Sequence, residues 1–290
     1  MKKLLITGPT GFLGSHIVGQ AQKRGYEVHV IAHKQVALED RSAVEKLLQT
    51  VKPDAVIHPA TSTLMSGKTA DPHTLIATNV EGAAHLMDAA VAVGVKAFIN
   101  IGSIAEYGPK DHPVKESELC EPGELYAVTK LAATTYGQSL ARRTGFPFMS
   151  FRLTTPYGPR IQAGRLVRVL IEKIKSGERI PLSSPETSRD YVFVEDVPPL
   201  LFEALEKAGQ YKGEIFNLGS GERTTIVELV ETLETMLGKK AQPEWGAFPL
   251  QSYDSNLWQA DMAKTFSAFT WRPAVALHEG MQKTAETISV

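Results

Sequence analysis

Short apolar runs alternate along the 290-residue chain with longer stretches in which apolar residues recur every three or four positions. The runs predict strands at Lys3–Thr7, Glu27–Ile31, Ala55–His58, Ala97–Ile101, Phe148–Leu153 and Tyr191–Val194. The longer stretches predict helices at Phe12–Arg24, Ser42–Thr50, Leu75–Val93, Glu124–Thr144, Gly164–Ser176, Val197–Ala208, Ile226–Leu237 and Val275–Thr287. Strands of near-continuous apolar character that alternate with helices indicate an α/β fold with a doubly wound parallel sheet.

The alternation weakens in the C-terminal half. Proline and serine concentrate at Pro181–Ser188, and the pattern is loose from Lys239 to Ser255. We therefore expect a main domain over 1–155, completed by a strand and a helix near 189–208. Residues 156–290 are expected to form mainly a smaller α/β region, interleaved with the main domain.

Three glycines follow the first predicted strand with the spacing G-x-x-G-x-x-G. Gly8 permits a tight turn, Gly11 lets backbone amides approach a phosphate, and Gly14 lets the helix pack closely on the strand. A strand, a glycine turn and a helix in this order predict a dinucleotide site, with the pyrophosphate at the helix N-terminus. The remaining loop residues expected to contact the cofactor are Thr10, Phe12 and Leu13.

A second motif, Tyr126-Ala-Val-Thr-Lys130, places a phenol and an ammonium four residues apart on one face of a helix. A lysine near the phenol, with a cationic nicotinamide close by, is expected to lower the phenol pKa toward neutrality. Such a tyrosine can exchange a proton with a sugar hydroxyl while a hydride moves. Ser103, at the end of a predicted strand, is expected to hydrogen-bond the same oxygen. We therefore predict Ser103, Tyr126 and Lys130 as the catalytic residues.

Together these motifs resemble the extended short-chain dehydrogenase/reductase family of nucleotide-sugar epimerases, dehydratases and ketoreductases. The resemblance also rests on further segments in the same order: Val56–Ala60, Thr78–Val80, Ser103–Gly108, Arg152–Pro159, Arg189–Tyr191 and Trp271–Pro273. It implies a Rossmann domain that holds a nicotinamide cofactor, and a smaller C-terminal region that holds a nucleotide sugar.

The end of the second predicted strand bears on the choice of cofactor. NAD-preferring members place an acidic residue there, and this chain has Ala32, followed by His33 and Lys34, which could pair with a 2′-phosphate. We therefore expect NADP(H) in preference to NAD(H). The resemblance implies further cofactor contacts from the Leu38 backbone, which would hold the adenine, and from Pro59, Ala60, Thr61 and Asn79.

The resemblance also implies which residues hold the substrate. Arg189 matches an arginine that binds the nucleotide diphosphate in the family. A guanidinium group can donate two hydrogen bonds to a phosphate. Thr155 replaces an asparagine that usually contacts the substrate, and no arginine stands at 256–259, where relatives commonly have one. We expect Ser103, Thr155, Arg165 and Arg189 to contact the substrate.

Two other kinds of site are not expected. Dehydratases carry a carboxylate two residues after the catalytic serine or threonine, and here that position is Ala105. Glu106 is interpreted as structural. His58 and His85 have no cysteine, histidine or carboxylate at ligand spacing, so no metal site is predicted and both are interpreted as structural.

Composition and charge limit the classes of partner that the sequence predicts. With 31 basic and 32 acidic residues, the net charge of −1 gives no electrostatic reason to expect nucleic acid. No apolar run approaches membrane-spanning length, and the single Cys120 can form no internal disulfide, so a cytoplasmic protein is expected. The resemblance implies that the two helices carrying Asn79 and Tyr126 pack across a two-fold axis. Apolar and small residues beyond one stripe on these helices, including Ala84, Ala89 and Ala133, would permit that contact, so a homodimer is expected.

These expectations favour an NAD(P)-dependent 4-ketoreductase that acts on an NDP-4-keto-6-deoxyhexose. An NDP-sugar 4-epimerase that retains its cofactor is the alternative, and a non-catalytic NADP(H)-binding sensor is a third interpretation. Such sensors lose the tyrosine or the lysine, and this chain retains both.

Overall fold

The computed structural model describes residues 2–32, 35–63, 71–248 and 256–289. The strands are β1 Lys3–Thr7, β2 Glu27–Ile31, β3 Ala55–His58, β4 Ala97–Ser103, β5 Phe148–Leu153, β6 Thr155–Tyr157, β7 Arg179–Leu182, β8 Ser188–Arg189, β9 Tyr191–Phe193, β10 Glu214–Leu218, β11 Thr224–Thr225, β12 Gln242–Trp245 and β13 Leu257–Trp258. The helices are α1 Phe12–Lys23, α2 Arg41–Val51, α3 Pro72–Ile76, α4 Ala83–Ala92, α5 Leu125–Thr144, α6 Leu166–Ser176, α7 Val197–Lys207, α8 Ile226–Leu237, α9 Ala263–Ala268 and α10 Leu277–Glu286.

A six-stranded parallel sheet in the order β10-β5-β4-β3-β1-β2 is the centre of the molecule. Successive side chains of β1 point to opposite faces: Leu4 and Ile6 pack with α1 and α7, whereas Leu5 packs with α2, α4 and α5. Both faces are therefore covered by helices, which explains the near-continuous apolar character of the inner strands β1, β3, β4 and β5. The predicted doubly wound α/β fold is confirmed.

The sixth strand of this sheet differs from the sequence prediction. The segment predicted at Tyr191–Val194 does form β9, but it pairs with β6 in a separate two-stranded sheet. The main sheet is completed by β10, which pairs with β5 and follows helix α7 in the chain. The helix predicted near 197–208 does pack on the main sheet, through Leu200 and Leu201.

The helix predicted at Leu75–Val93 is α3 and α4 joined by a turn of π-helix, Ala77–Gly82. One additional residue in this turn changes the phase of the helix between its two α-helical parts. Asn79 lies within the π-helical turn.

A second hydrophobic cluster lies in the C-terminal part of the chain. It joins one face each of α6, α8 and α10 to the short strands β7 and β9, with Leu170, Leu229 and Met281 fully buried. This cluster is the core expected of a smaller region beside the main sheet. The 1–155 and 156–290 division remains a prediction.

Candidate functional site

A cleft of about 680 Å³ lies along the carboxyl ends of the parallel strands. Residues that follow β1, β2, β3 and β5 and the last residues of β4 line it, and α5 and the segment after β6 contribute further walls. Ligands in open parallel sheets bind outside the carboxyl ends of the strands, so this cleft is the candidate functional site.

The glycine turn forms one wall of the cleft. Gly8 adopts a positive φ of 56°, and its amide donates to the carbonyl of Ile31 at 3.0 Å. A Cβ on Gly14 would lie 2.0 Å from the Gly8 carbonyl oxygen, so only glycine permits this packing of α1 on the turn. Helix α1 begins immediately after Gly11 and turns its amide end toward the cleft.

Most of the predicted cofactor residues line this cleft: Gly8, Thr10, Gly11, Phe12, Leu13, Gly14, Leu38, Pro59, Ala60, Thr61, Tyr126 and Lys130. The elongated lining from β2 to α5 and the close-packed glycine turn at its middle fit a dinucleotide. His33 and Lys34 lie outside the described residues. Ala32, which precedes them, lines the cleft.

Asn79 does not lie among the residues that line the cleft, because its side chain is committed elsewhere. Its Oδ1 accepts from the Ser62 amide at 2.7 Å and from the Thr61 hydroxyl at 3.1 Å. Its Nδ2 donates to the Ser62 carbonyl and to Thr129 of α5, both at 3.0 Å. Asn79 thus fixes the loop after β3 against α5. Its direct contact with the cofactor stays a prediction, and the structure shows its side chain bonded to this loop and to Thr129.

Ser103, Tyr126 and Lys130 come together on one wall of the cleft. Ser103 is the last residue of β4, and Tyr126 and Lys130 lie one helical turn apart near the start of α5. The three side chains reach this wall from two elements that pack on each other. The geometry therefore assembles the trio that the motif spacing predicted.

Burial determines the ionisation of these groups. Burial raises the pKa of Tyr126 to about 12, and the positive charge of Arg165 and the hydroxyl of Ser103 oppose part of that rise. Burial lowers the pKa of Lys130 to about 8, against the negative charge of Glu106. The protein's own groups therefore raise the pKa of the Tyr126 phenol. The sequence analysis predicted a lowered pKa because it included a cationic nicotinamide near the phenol.

Glu106 positions Ser103 from behind the cleft. Its Oε1 accepts from the Ser103 amide at 2.9 Å, while the Ser103 hydroxyl accepts from the Ala105 amide at 3.2 Å, so the two residues cap a short 3₁₀ turn. Its Oε2 accepts from Nε of Arg152 at 2.8 Å in a buried ion pair. The structural interpretation of Glu106 agrees with this geometry. Its partner Arg152 could not be identified from the sequence.

Two of the predicted substrate residues do not line the cleft. Arg165 and Ser103 line it, but Thr155 does not; its neighbours Thr154 and Pro156 do. Adjacent side chains in an extended segment point to opposite sides, which accounts for the displacement by one residue. The hydroxyl of Thr154 is buried and has no hydrogen-bond partner among the described residues.

Arg189 also lies away from the cleft lining, in β8 between β11 and β13. Its Nη1 donates to the Ser188 carbonyl at 2.9 Å. Its contact with a substrate diphosphate stays a prediction, since Arg189 is not among the residues that line the cleft. The short sheet around β8, which the sequence did not predict, holds it there.

The two histidines have structural partners. His58 is buried and its Nδ1 lies 2.8 Å from the Thr7 hydroxyl. Burial, together with the positive charge of Lys130, lowers its pKa to about 3. His85 contacts the Leu38 carbonyl through Nδ1 at 3.1 Å. Within residues 2–32, 35–63, 71–248 and 256–289, no group of three His, Cys, Asp or Glu residues could hold a metal ion.

Glu39 is a cleft residue that the motifs did not indicate. It follows Leu38 and accepts a hydrogen bond from the Thr78 hydroxyl, a contact between segments 39 residues apart. No local pattern could have identified it.

No helix in the part of the chain that the structure describes has the length and apolar character needed to cross a membrane.

Comparison with known proteins shows which proteins the chain is similar to. The chain is 31% identical over 186 residues to dTDP-4-dehydro-6-deoxyglucose reductase of Escherichia coli, covering 63% of this chain and 58% of that protein. It is 27% identical to UDP-glucose 4-epimerase of Mycolicibacterium smegmatis, covering 98% of this chain and 97% of the relative. It also resembles the crystal structure of Thermus thermophilus UDP-glucose 4-epimerase in complex with NAD, with a TM-score of 0.85, 27% identity and coverage of 99% and 98%.

The sequence profile of the NAD dependent epimerase/dehydratase family matches residues 4–219, a range that contains the glycine turn, Ser103, Tyr126 and Lys130. The chain is a member of the NAD dependent epimerase/dehydratase family.

Proposed function

We propose that this protein transfers a hydride reversibly at C4 of a nucleotide sugar, with reduction of an NDP-4-keto-6-deoxyhexose as its net reaction. The observation that carries the proposal is the convergence of Ser103, Tyr126 and Lys130 in the cleft that also contains the glycine turn. A proton donor beside a dinucleotide cradle is the arrangement that carbonyl reduction requires.

The cofactor supplies the hydride when it is bound. Tyr126 donates the proton to the reacting oxygen, and its raised pKa of about 12 keeps the phenol protonated and ready to donate. Ser103 donates a second hydrogen bond to the same oxygen. Arg165 already opposes part of the rise in the phenol pKa, and Lys130, one helical turn from Tyr126, is assigned the same role, so that both charges favour the phenolate left after the transfer. A protonated phenol is the form that reduction uses first, whereas oxidation of a sugar alcohol begins with proton removal.

The surroundings of Ser103 favour reduction over dehydration. Ala105 stands where a dehydratase carboxylate would be, and the carboxylate of Glu106 is turned inward to Arg152. Elimination of water needs an acid and a base near the sugar. Neither residue supplies such a group to the cleft.

We propose NADP(H) as the preferred cofactor. Ala32 places no carboxylate at the end of β2, so a 2′-phosphate is not repelled from that position. Replacing Lys34 with alanine should weaken NADP(H) binding by about 1–3 kcal/mol, the range for a hydrogen bond to a charged group, and barely change NAD(H) binding. Titration of both cofactors against both proteins measures this. Tighter binding of NAD(H) by the unmodified chain contradicts the preference.

A 4-epimerase is the second candidate. The similarity to UDP-glucose 4-epimerases spans nearly the whole chain, whereas the similarity to the reductase covers 63% of it. The two reactions differ in the fate of the cofactor, because a reductase oxidises one reduced cofactor for each product formed and an epimerase returns the hydride.

The deciding experiment incubates the purified protein with reduced cofactor and dTDP-4-keto-6-deoxyglucose, and separately with oxidised cofactor and UDP-glucose. A reductase consumes the cofactor in proportion to product, as absorbance of the reduced nicotinamide reports. An epimerase interconverts the UDP-sugars with no net change in cofactor. Tight cofactor binding with neither reaction on these or other nucleotide sugars would favour the sensor.

A further inference from the structure

The two carboxylate oxygens of Glu39 have different surroundings. Oε1 accepts a hydrogen bond from the hydroxyl of Thr78. Oε2 is buried and has no hydrogen-bond partner among the residues that the structure describes. A buried acceptor without a donor carries a free-energy penalty, and most such groups in folded proteins find a partner. Because Glu39 lines the cleft, that partner can come from a bound ligand.

The position of Glu39 indicates which part of a ligand it meets. The cleft runs along the strand order β2, β1, β3, β4, with Glu39 near β2, the glycine turn after β1, and Ser103 at the end of β4. A dinucleotide that lays its pyrophosphate on the glycine turn and its nicotinamide near Tyr126 must direct its adenosine toward β2. Glu39 therefore lies at the adenosine end.

The neighbours of Glu39 suit a base rather than a sugar. The wall at this end is built largely from the apolar side chains of Ile31, Val36 and Leu38. A flat aromatic ring buries well against such a surface, whereas ribose hydroxyls do not. The donor that adenine offers at its edge is its exocyclic amine, and a carboxylate can only accept.

We propose that Glu39 recognises adenine by accepting a hydrogen bond from its exocyclic amine through Oε2. The Thr78 hydroxyl orients the carboxylate through Oε1. The contact selects adenine over hypoxanthine, whose carbonyl at the same ring position would face the carboxylate as a second acceptor. This inference rests on the proposed function only in requiring a bound dinucleotide.

Equilibrium titration of the purified protein tests the proposal without any measurement of turnover. NAD⁺ and NADP⁺ are compared first, and whichever binds more tightly is then compared with its hypoxanthine analogue. The adenine form should bind at least about tenfold more tightly, because one satisfied hydrogen bond is exchanged for two opposed acceptors. In the Glu39→Gln variant the ratio should fall toward one, since an amide can turn either its NH₂ or its oxygen to the base.

Glu45→Gln is the matched control, since Glu45 lies on the following helix and pairs with the exposed Arg41. It should leave the ratio unchanged. Equal binding of the two bases by the unmodified protein overturns the proposal whether or not the variant folds, and so does an unchanged ratio in a folded Glu39→Gln variant. Selectively tighter NADP⁺ binding by that variant would instead place the carboxylate at the ribose 2′ position, and would also overturn it. Failure of both cofactors to bind refutes the proposed function itself.

Discussion

Lys130 is buried and Tyr126 is half-buried in the cleft wall, and desolvation disfavours the charged form of each. At pH 7 the phenol is protonated, and Lys130, with a pKa of about 8, still carries most of its charge. Glu106 supports that charge from behind the cleft while it holds the Ser103 amide. The same buried carboxylate therefore contributes to both the geometry and the electrostatics of the trio.

Replacing Tyr126 with phenylalanine removes the proton that must move and leaves the ring in place. We expect kcat to fall by roughly 10²–10⁴-fold while cofactor binding is nearly unchanged. Steady-state kinetics and cofactor titration measure the two effects. The control is Tyr136→Phe on the same helix, because Tyr136 bonds to Asp88 outside the cleft. More than half of the original activity in Tyr126→Phe would exclude this role.

His58 should make the protein less stable in acid. Its pKa of about 3 in the folded protein lies below the ordinary value of 6.5, so between these values the unfolded chain binds a proton that the folded one does not. Stability should therefore fall as pH falls from 6.5 toward 3, by up to about 1.4 kcal/mol per pH unit from this residue.

Denaturant unfolding across this pH range measures the effect. The variant His58→Asn should show a shallower decline than the unmodified protein, and His278→Asn, at an exposed position on α10, should not. Parallel declines for the unmodified protein and His58→Asn would show that this histidine does not carry the effect.

The first strand, turn and helix form an element in which backbone atoms approach too closely for side chains. Gly14 and Gly19 lie on the same helix, but a Cβ would meet the Gly8 carbonyl only at Gly14 and open space at Gly19. Gly14→Ala should destabilise the fold by about 1–3 kcal/mol and weaken cofactor binding, because the turn must move.

Gly19→Ala is the control for that change, and it should stabilise the protein by up to about 1 kcal/mol through helix propensity. Thermal unfolding and cofactor titration report both effects. Equal consequences from the two substitutions would show that the close packing of the glycine turn is not required.

Local sequence patterns predicted the strands that are buried on both faces of the sheet. Apolar residues predominate in strands β1, β3, β4 and β5 because helices cover both faces of the sheet, so near-continuous apolar runs reveal them. Strand β10, which has only three apolar residues and a buried Asn217, was not predicted. The partners of Asn217 are the Tyr107 hydroxyl and the carbonyls of Val114 and Asp261, all remote in sequence.

The same limit applies to the site. The spacing of the Tyr126/Lys130 motif and the glycine turn is local, so the sequence sufficed to predict them. Whether Thr154 or Thr155 faces the cleft, and that Glu39 reaches Thr78, depend on how distant segments pack. No periodicity in the chain reports those contacts.

At the scale of the whole molecule, the surface formed by α3, α4 and α5 is the expected site of self-association. Ala89 and Ala133 were expected on this surface, but both are buried within the subunit. Two apolar residues of this surface are exposed to solvent: Ile76 on α3 is 41% exposed and Val128 on α5 is 44% exposed. A two-fold contact through this surface would cover them and close the assembly at two subunits.

Light scattering at micromolar concentration should therefore report about twice the chain mass of 31.6 kDa. Val128→Glu should yield monomers, because a charge would be buried at the contact. Leu119→Glu, which changes an apolar residue that is 73% exposed on another segment, should leave the dimer intact. A monomeric unmodified protein would rule out the dimer.

The late position of β10 in the chain has a consequence for synthesis on the ribosome. About 60 residues separate the end of β5 from the strand that covers its free edge, and they include β6 to β9, α6 and α7. At about 5–20 residues per second, the hydrogen-bonding edge of β5 stays uncovered for roughly 3–12 s during translation. The nascent chain must keep this apolar edge from pairing with a neighbouring chain until Glu214–Leu218 emerges, so translation slowed within that interval should increase its aggregation.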